Sequence, residues 1–178
     1  MVKLGKIGQK FTNALAKVLA HPVVFDWLET RGYKTPYLHI MSQDGDEVYM
    51  YRYWLFNPYD AENKSQKYRW LPNIRLHHIM CPDSDRHLHD HPWDARTFIL
   101  RGWYLEEKEG SKDLIPRKAG TTASLKYGEY HRIHQVSPGG VWTLFITWKY
   151  KGTWGFKVGD KKIPYREYLG NKEKYQNV

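Results

Sequence analysis

The stretch that decides the fold is residues 87–102, which read His-Leu-His-Asp-His-Pro-Trp-Asp-Ala-Arg-Thr-Phe-Ile-Leu-Arg-Gly. Side chains at alternate positions of an extended chain point to the same side. His89 and His91 can therefore direct two imidazoles at one point, and His87 precedes them at the same spacing. Neutral imidazole is a preferred ligand of first-row transition metals. This stretch predicts part of a metal site that needs a further ligand from elsewhere in the chain.

A second stretch, residues 120–135, offers that ligand. Gly128 suits a tight turn, and His131 follows it after two residues. On the strand predicted after the turn, His131 and Gln135 share one face, while His134 lies on the other. His131 is therefore the candidate third metal ligand, and Gln135 is a candidate catalytic residue on the same face.

Together the two stretches resemble the two sequence motifs of the cupin superfamily. The first motif is Gly, five residues, His-x-His, three or four residues, Glu, six residues and Gly. The second is Gly, five residues, Pro-x-Gly, two residues, His, three residues and Asn. The residues in register are His89, His91 and Gly102 for the first motif, and Gly120, Gly128 and His131 for the second. The resemblance covers residues 70–158 and implies an all-β fold, the double-stranded β-helix or jelly-roll barrel.

The departures from the motifs concern above all the carboxylate. Ala95 stands at the glutamate position, with Asp94 one residue away. Lys126 replaces the proline, Gln135 the asparagine, and Asp83 the leading glycine. The resemblance therefore implies a metal centre without a carboxylate, similar to that of the thiol dioxygenases, with the ligands His89, His91 and His131.

The implied metal is a divalent transition metal. Iron(II) is favoured by the likeness to thiol dioxygenases, while manganese, nickel and zinc stay open because imidazole binds all of them. The stretches HDHPWD and YHRIH further resemble small cupins of phage and bacterial genomes.

Composition limits the classes of partner. The 178 residues carry a net charge of +9, which favours anionic small molecules, and we expect such a ligand. Nucleic acid is not favoured, because the basic residues are spread along the chain without a nucleic-acid-binding motif. The sequence has no run long and apolar enough to span a membrane, and it has a single cysteine. We expect no signal peptide, because the lysines near the N-terminus are not followed by a sustained apolar region and a cleavage site. We expect a cytoplasmic protein (in the host cytoplasm if a phage encodes it), and a homodimer is compatible with the sequence.

We expect the chain to divide into an N-terminal helical segment (1–36) that packs on the barrel, a cupin barrel (37–158) and a polar C-terminal tail (159–178). Apolar residues at helical spacing over residues 5–20 fit either a helix docked on its own domain, which we favour, or a membrane-surface helix. Gln43-Asp44-Gly45 predicts a hairpin turn. The predicted strands are 37–41, 46–55, 73–80, 95–106, 112–118, 121–126, 130–136, 141–150 and 154–158.

Candidates beyond the metal ligands are less specific. His77 is a second catalytic candidate, since strand alternation allows only one of His77 and His78 to face the barrel interior. A pocket arginine or lysine would bind a substrate anion, and the candidates are Arg75, Arg96 and Lys126.

Three functions are compatible with these features. The first is an iron-dependent, dioxygenase-type enzyme acting on a small anionic metabolite. The second is a non-catalytic cupin that binds a small molecule or nucleotide, such as a phage accessory factor acting on the host. The third is a metal-free, sugar-epimerase-like cupin that uses a histidine as base.

Overall fold

A computed structural model describes residues 5–42, 45–59 and 66–176. Two helices precede a run of strands, which confirms the predicted all-β fold class with an N-terminal helical lead-in. The helices are α1 (Lys6–Leu19), α2 (Pro22–Gly32), α3 (Tyr165–Gly170) and α4 (Lys172–Gln176). The strands are β1 (Ile40–Met41), β2 (Val48–Phe56), β3 (Asn73–Ile79), β4 (Trp93–Arg101), β5 (Trp103–Lys108), β6 (Ile115–Lys118), β7 (Thr122–Leu125), β8 (His131–Val136), β9 (Val141–Tyr150), β10 (Gly155–Val158) and β11 (Lys161–Pro164). Gln43 and Asp44 of the predicted hairpin turn lie outside the described residues.

The strands form antiparallel sheets. A six-stranded sheet has the order β1-β2-β3-β9-β4-β7, a three-stranded sheet the order β6-β5-β8, and β10 pairs with β11. Two isolated bridges join His89 to His131 and to Phe156, so the loop before β4 is tied to β8 and β10.

The strand predicted over residues 95–106 is two strands, β4 and β5, which belong to different sheets. The chain changes sheet at Gly102, where φ is +75°. A Cβ atom there would lie 2.6 Å from both the Gly140 carbonyl oxygen and Ser137 Oγ. Glycine is needed at this corner both for its left-handed backbone and for the close approach of the β8–β9 turn.

Strand β4 is buried on both faces. Phe98 and Leu100 pack against α1 and α2, in a cluster that includes Ala16 and Phe25 of those helices. On the opposite face, Ile99 packs in a cluster with residues of the three-stranded sheet. This second face is the barrel interior, and it is where the functional side chains lie.

Helix α1 uses only part of its apolar stripe for docking. Leu15 and Leu19 pack against the core beside the buried Ala16. Ile7 and Phe11 are 86% and 68% exposed. The C-terminal half of α1 therefore packs on the barrel, as expected for a docked helix, whereas the apolar side chains of its N-terminal half stay exposed. No helix in the described ranges is long and apolar enough to cross a membrane.

The C-terminal segment expected as a polar tail is ordered structure from Lys161 to Gln176. The Tyr168 ring stacks on Phe156 of β10 with ring centroids 3.9 Å apart, and Tyr175 stacks on Tyr168 at 5.5 Å. Both tyrosines are buried. The stacked rings of Tyr168 and Tyr175 join α3 and α4 to β10, although the overall composition of this segment is polar.

Candidate metal centre

The backbone brings two of the predicted ligands side by side. His89 lies in the loop before β4, and His131 is the first residue of β8. The His89 N–H donates to the His131 carbonyl and the His131 N–H to the His89 carbonyl, both at 2.9 Å. Alternation along the extended loop then places His91 on the same side as His89.

The three imidazoles of His89, His91 and His131 converge on one point. Their potential ligand atoms all lie within 4.8 Å of one another. His91 Nε2 and His131 Nε2 are 2.9 Å apart, and each of the three ring pairs has its centroids 5.1 Å apart. Two nitrogens that each lie about 2.1 Å from one ion are separated by roughly 3 Å, so this arrangement suits a single bound cation.

Burial keeps the imidazoles of His89 and His91 in the neutral form that binds a metal. Burial lowers the pKa of His89, an effect that the nearby Asp83 carboxylate partly opposes. The pKa of His91 is lowered well below the ordinary 6.5, first by burial and then by His131 and His89. A neutral imidazole has a free lone pair, so the site is prepared for a cation near neutral pH.

Glu106 of β5 orients His131. Its Oε1 accepts a hydrogen bond from His131 Nδ1 at 2.8 Å, and its Oε2 accepts two from Arg117 at 2.6 and 2.8 Å. Burial opposes ionisation of this carboxyl, but its hydrogen bonds and electrostatic interactions with His131 and Arg117 outweigh burial and lower its pKa to about 2. A carboxylate on Nδ1 fixes the proton there and turns the Nε2 lone pair towards the site, as behind many histidine ligands.

The sequence motifs did not predict a role for Glu106, because this residue occupies no motif position. A signal exists in the alternation of β5, where Tyr104 and Glu106 both point inward and are buried. Glu106 pairs with Ile133, which is two residues after the candidate ligand His131. A buried glutamate at this position needs a hydrogen-bonding or charged partner, and the candidate site supplies it.

Asp83 lies beside the remaining nitrogen of His89. Its Oδ2 is 3.9 Å from His89 Nδ1 and accepts the Ile133 N–H at 2.7 Å. Its Oδ1 accepts a short hydrogen bond from the Tyr49 hydroxyl. The residue that replaces the first glycine of the motif thus supplies a negative charge close to the centre.

Asp94 and His87 are close in sequence to the candidate metal ligands, but their side chains have hydrogen-bond partners outside the three-histidine group. Asp94 accepts hydrogen bonds from Lys151 Nζ at 2.8 Å and from the Tyr127 N–H at 3.1 Å. His87 Nδ1 lies 2.9 Å from the Tyr168 hydroxyl. Neither belongs to the group of converging ligand atoms. Ala95, at the glutamate position of the motif, is fully buried and offers no ligand.

The prediction that Gln135 shares the face of His131 is wrong. Ile133 pairs with Glu106 and Gln135 with Leu105, so β8 contains one extra residue at this point. Such a bulge reverses the alternation of side chains. Gln135 is consequently exposed, whereas His131 and Ile133 are buried.

The other predicted residues separate into two locations. Arg75 and His77 lie on the interior face of β3, and both are buried. The pKa of His77 is lowered well below its ordinary value by burial and by the nearby arginines, so this ring is neutral. Arg96 lies on the helix-covered face of β4 and donates to Thr122 Oγ1 at 3.3 Å, and Lys126 lies in the turn after β7. The structure thus groups Arg75 and His77 with the interior and leaves Arg96 and Lys126 outside it.

Comparison with known proteins identifies the fold. No protein-family model and no curated protein sequence matches this chain. The DMSP lyase DddQ from Ruegeria pomeroyi is similar in structure, with a TM-score of 0.53 and 13% identity over 85% of this chain and 77% of the lyase. Iron(II) HppE gives a TM-score of 0.44 and 12% identity over 62% of this chain and 55% of that one. A cupin-like protein from Thermotoga maritima gives 0.40 and 15% over 68% and 83%. The chain has the predicted cupin fold.

Proposed function

We propose that this cupin-fold protein is a metal-dependent enzyme in which His89, His91 and His131 bind a divalent transition metal, iron(II) in the first instance. The reaction we propose is a dioxygenase-type oxidation of a small molecule. The observation that carries the proposal is the convergence of three imidazoles within 4.8 Å, with no carboxylate of the described ranges in the group.

A bound divalent metal supplies Lewis acidity and, as iron(II), the capacity to activate oxygen. The protein's own residues prepare the site. Glu106 holds a proton on His131 Nδ1, so that Nε2 stays available as a ligand. Phe145, Trp93 and Phe156 lie with ring centroids 6.0–6.3 Å from a histidine of the centre and give it an apolar surrounding.

The ligand set favours catalysis over a structural role. Three protein ligands leave coordination positions for water, substrate or oxygen, whereas structural sites are closed by four. The interior around the centre also carries buried hydroxyl groups, from Thr97, Thr143 and Thr147, that can contact a polar substrate.

Metal content tests the proposal. Wild-type protein is reconstituted anaerobically with iron(II) and, separately, with manganese, nickel and zinc, and the bound metal is measured by elemental analysis. We expect near-stoichiometric metal in the wild type and its loss in His89→Ala and His131→Ala. His134→Ala is the matched control, because His134 is exposed on the same strand and should leave binding intact.

Each outcome separates the candidate functions. Oxygen uptake by the iron-loaded protein, with a panel of small thiols and carboxylates, would support the dioxygenase-type reaction. Full metal occupancy without turnover would instead favour a binding cupin. Absence of all four metals from the wild type would overturn the metalloenzyme and return attention to the metal-free, epimerase-like alternative.

A further inference from the structure

Helix α1 carries an exposed ridge of apolar side chains. Ile7, Phe11 and Val18 are 86%, 68% and 57% exposed. Their spacings of four and seven residues place them on one side of the helix. Leu15 and Leu19, by which α1 docks on the barrel, lie on a neighbouring side. The apolar ridge therefore points away from the barrel.

A row of lysines runs beside the apolar ridge. Lys6, Lys10 and Lys17 each precede one of the ridge residues, so they lie about 100° around the helix from it. All three lysines are exposed. The sequence of α1 contains no aspartate and no glutamate. The outward side of α1 thus combines apolar and positively charged groups and carries no acidic side chain.

This charge pattern selects between the surfaces that could cover the ridge. If two copies of α1 packed ridge to ridge, the lysine rows of both copies would come close together, and neither helix has a carboxylate to pair with them. An anionic bilayer offers both complementary parts. Its acyl boundary accepts the apolar side chains, and its headgroup phosphates attract the lysines. A bilayer also needs no groove shaped to fit the ridge.

Helix α2 adds side chains of the same kind. It begins three residues after the end of α1, and it exposes Val23 and Trp27, which are 71% and 65% exposed. Tryptophan is enriched at membrane–water interfaces, because its ring is apolar and its N–H is polar. Both N-terminal helices therefore expose side chains of the types that enter the headgroup region.

We propose that α1 binds the surface of an anionic lipid bilayer, with its apolar ridge inserted at the acyl boundary and its lysine row on the headgroup phosphates. The inference does not depend on the proposed metal chemistry. Phe98 and Leu100 of β4 face the helices, whereas Ile99 faces the barrel interior. A bilayer on α1 would therefore lie on the opposite side of β4 from the interior.

Co-sedimentation of the full chain with lipid vesicles tests the proposal. One set of vesicles is phosphatidylcholine alone, and the other is an equimolar mixture of phosphatidylcholine and phosphatidylglycerol. We expect binding to the mixed vesicles to be about tenfold to a hundredfold tighter. It should weaken as sodium chloride rises from about 0.05 to 0.5 M. Absence of binding to the mixed vesicles, or equal binding to both sets, would overturn the proposal.

Variants of exposed residues locate the binding surface. Phe11→Ser removes the largest side chain of the ridge and should weaken binding to the mixed vesicles by about tenfold. Lys10→Gln should weaken it by about fivefold. The matched controls are Trp70→Ser, at an apolar side chain that is 86% exposed, and Lys112→Gln, at an exposed lysine. Both lie outside the helices and should bind as the wild type does. Control variants that weaken binding as much as the α1 variants would overturn the role of α1.

Light scattering of the protein without vesicles separates the bilayer from a second copy of the chain. We expect Phe11→Ser to have the same molecular mass as the wild type. A wild-type dimer that Phe11→Ser converts into a monomer would show that a second copy covers the ridge, and it would overturn the proposal. Thermal melts of the variants should match the wild type, because the replaced side chains are exposed.

Discussion

Replacing Glu106 by glutamine tests how the candidate metal centre is organised. The change keeps the size of the side chain and removes its charge. In the wild type, the carboxylate accepts from His131 Nδ1 and twice from Arg117, and its side chain is only 3% exposed. An amide can still accept from one of these partners, but its NH₂ group must then face a donor. The variant therefore loosens His131 and leaves Arg117 without a buried counter-ion.

The expected cost has two parts. The pKa of Glu106 falls from 4.5 to about 2, and at 1.36 kcal/mol per pKa unit this corresponds to about 3 kcal/mol of interaction with its partners. Arg117 retains 20% of its exposure and recovers some hydration, so we expect Glu106→Gln to lose about 2–3 kcal/mol in free energy of unfolding. Loss of a carboxylate behind a histidine ligand should also weaken metal binding by about 10–100-fold.

Two assays measure these parts separately. Urea unfolding of the metal-free protein gives the stability loss, and a competitive zinc titration of the folded protein gives the change in affinity. Glu107→Gln is the matched control, because Glu107 pairs with Arg132 at 2.7 Å and is 38% exposed. It should change the stability by less than about 1 kcal/mol and leave zinc affinity unaltered.

The reasoning would be refuted by a Glu106→Gln variant that binds zinc as tightly as the wild type while remaining folded. In that case His131 would be held by its strand alone, and the carboxylate would serve only to neutralise Arg117. An equal loss of zinc affinity in both variants would instead mean that general negative charge controls the site.

Three further predictions concern the fold and its pH dependence. Gly102→Ala should lose about 2–4 kcal/mol of unfolding free energy, because the left-handed backbone and the close contacts both disfavour a methyl group. The control Gly110→Ala, also at φ +75° but with open space around it, should lose about 1 kcal/mol. Equal losses of the two variants in urea unfolding would contradict the packing argument. Phe98→Ala should lose about 3–5 kcal/mol, since this ring is 2% exposed beneath the helices, and a loss below about 1 kcal/mol would show that the helices do not depend on it. The metal-free protein should lose stability as the pH falls below 6.5, because the lowered pKa of His91 lets the unfolded chain bind more protons, and again from 4.5 towards about 2 as Glu106 is protonated; a melting temperature independent of pH from 7 to 3 would contradict both shifts.

The convergence of the three histidines could be predicted because it depends largely on local geometry. His89 and His91 need only an extended chain to lie on one side. Gly120 and Gly128, in register with the second cupin motif, identified His131 as the third candidate. The backbone hydrogen bonds between His89 and His131 then hold the two segments side by side. No further structural element is needed to bring these two histidines together.

The prediction that Gln135 lies on the face of His131 was wrong because it assumed regular alternation along one strand. A bulge is a relation between two strands, and it appears only when β8 is paired with β5. The C-terminal helices were missed for a related reason. Their polar composition suggests a tail, and only packing against β10 shows that Tyr168 and Tyr175 are buried.

By itself the sequence determined the all-β class, the helical lead-in and the three histidines, because alternation, turns and motif spacing act over a few residues. The tertiary structure decided which charges face the interior. It placed Glu106 behind His131, turned Asp94 towards Lys151, and left Arg75 buried among aromatic rings beside the centre. The physical reason is that a charge acquires its role from its burial and its partners, and those partners come from strands distant in sequence.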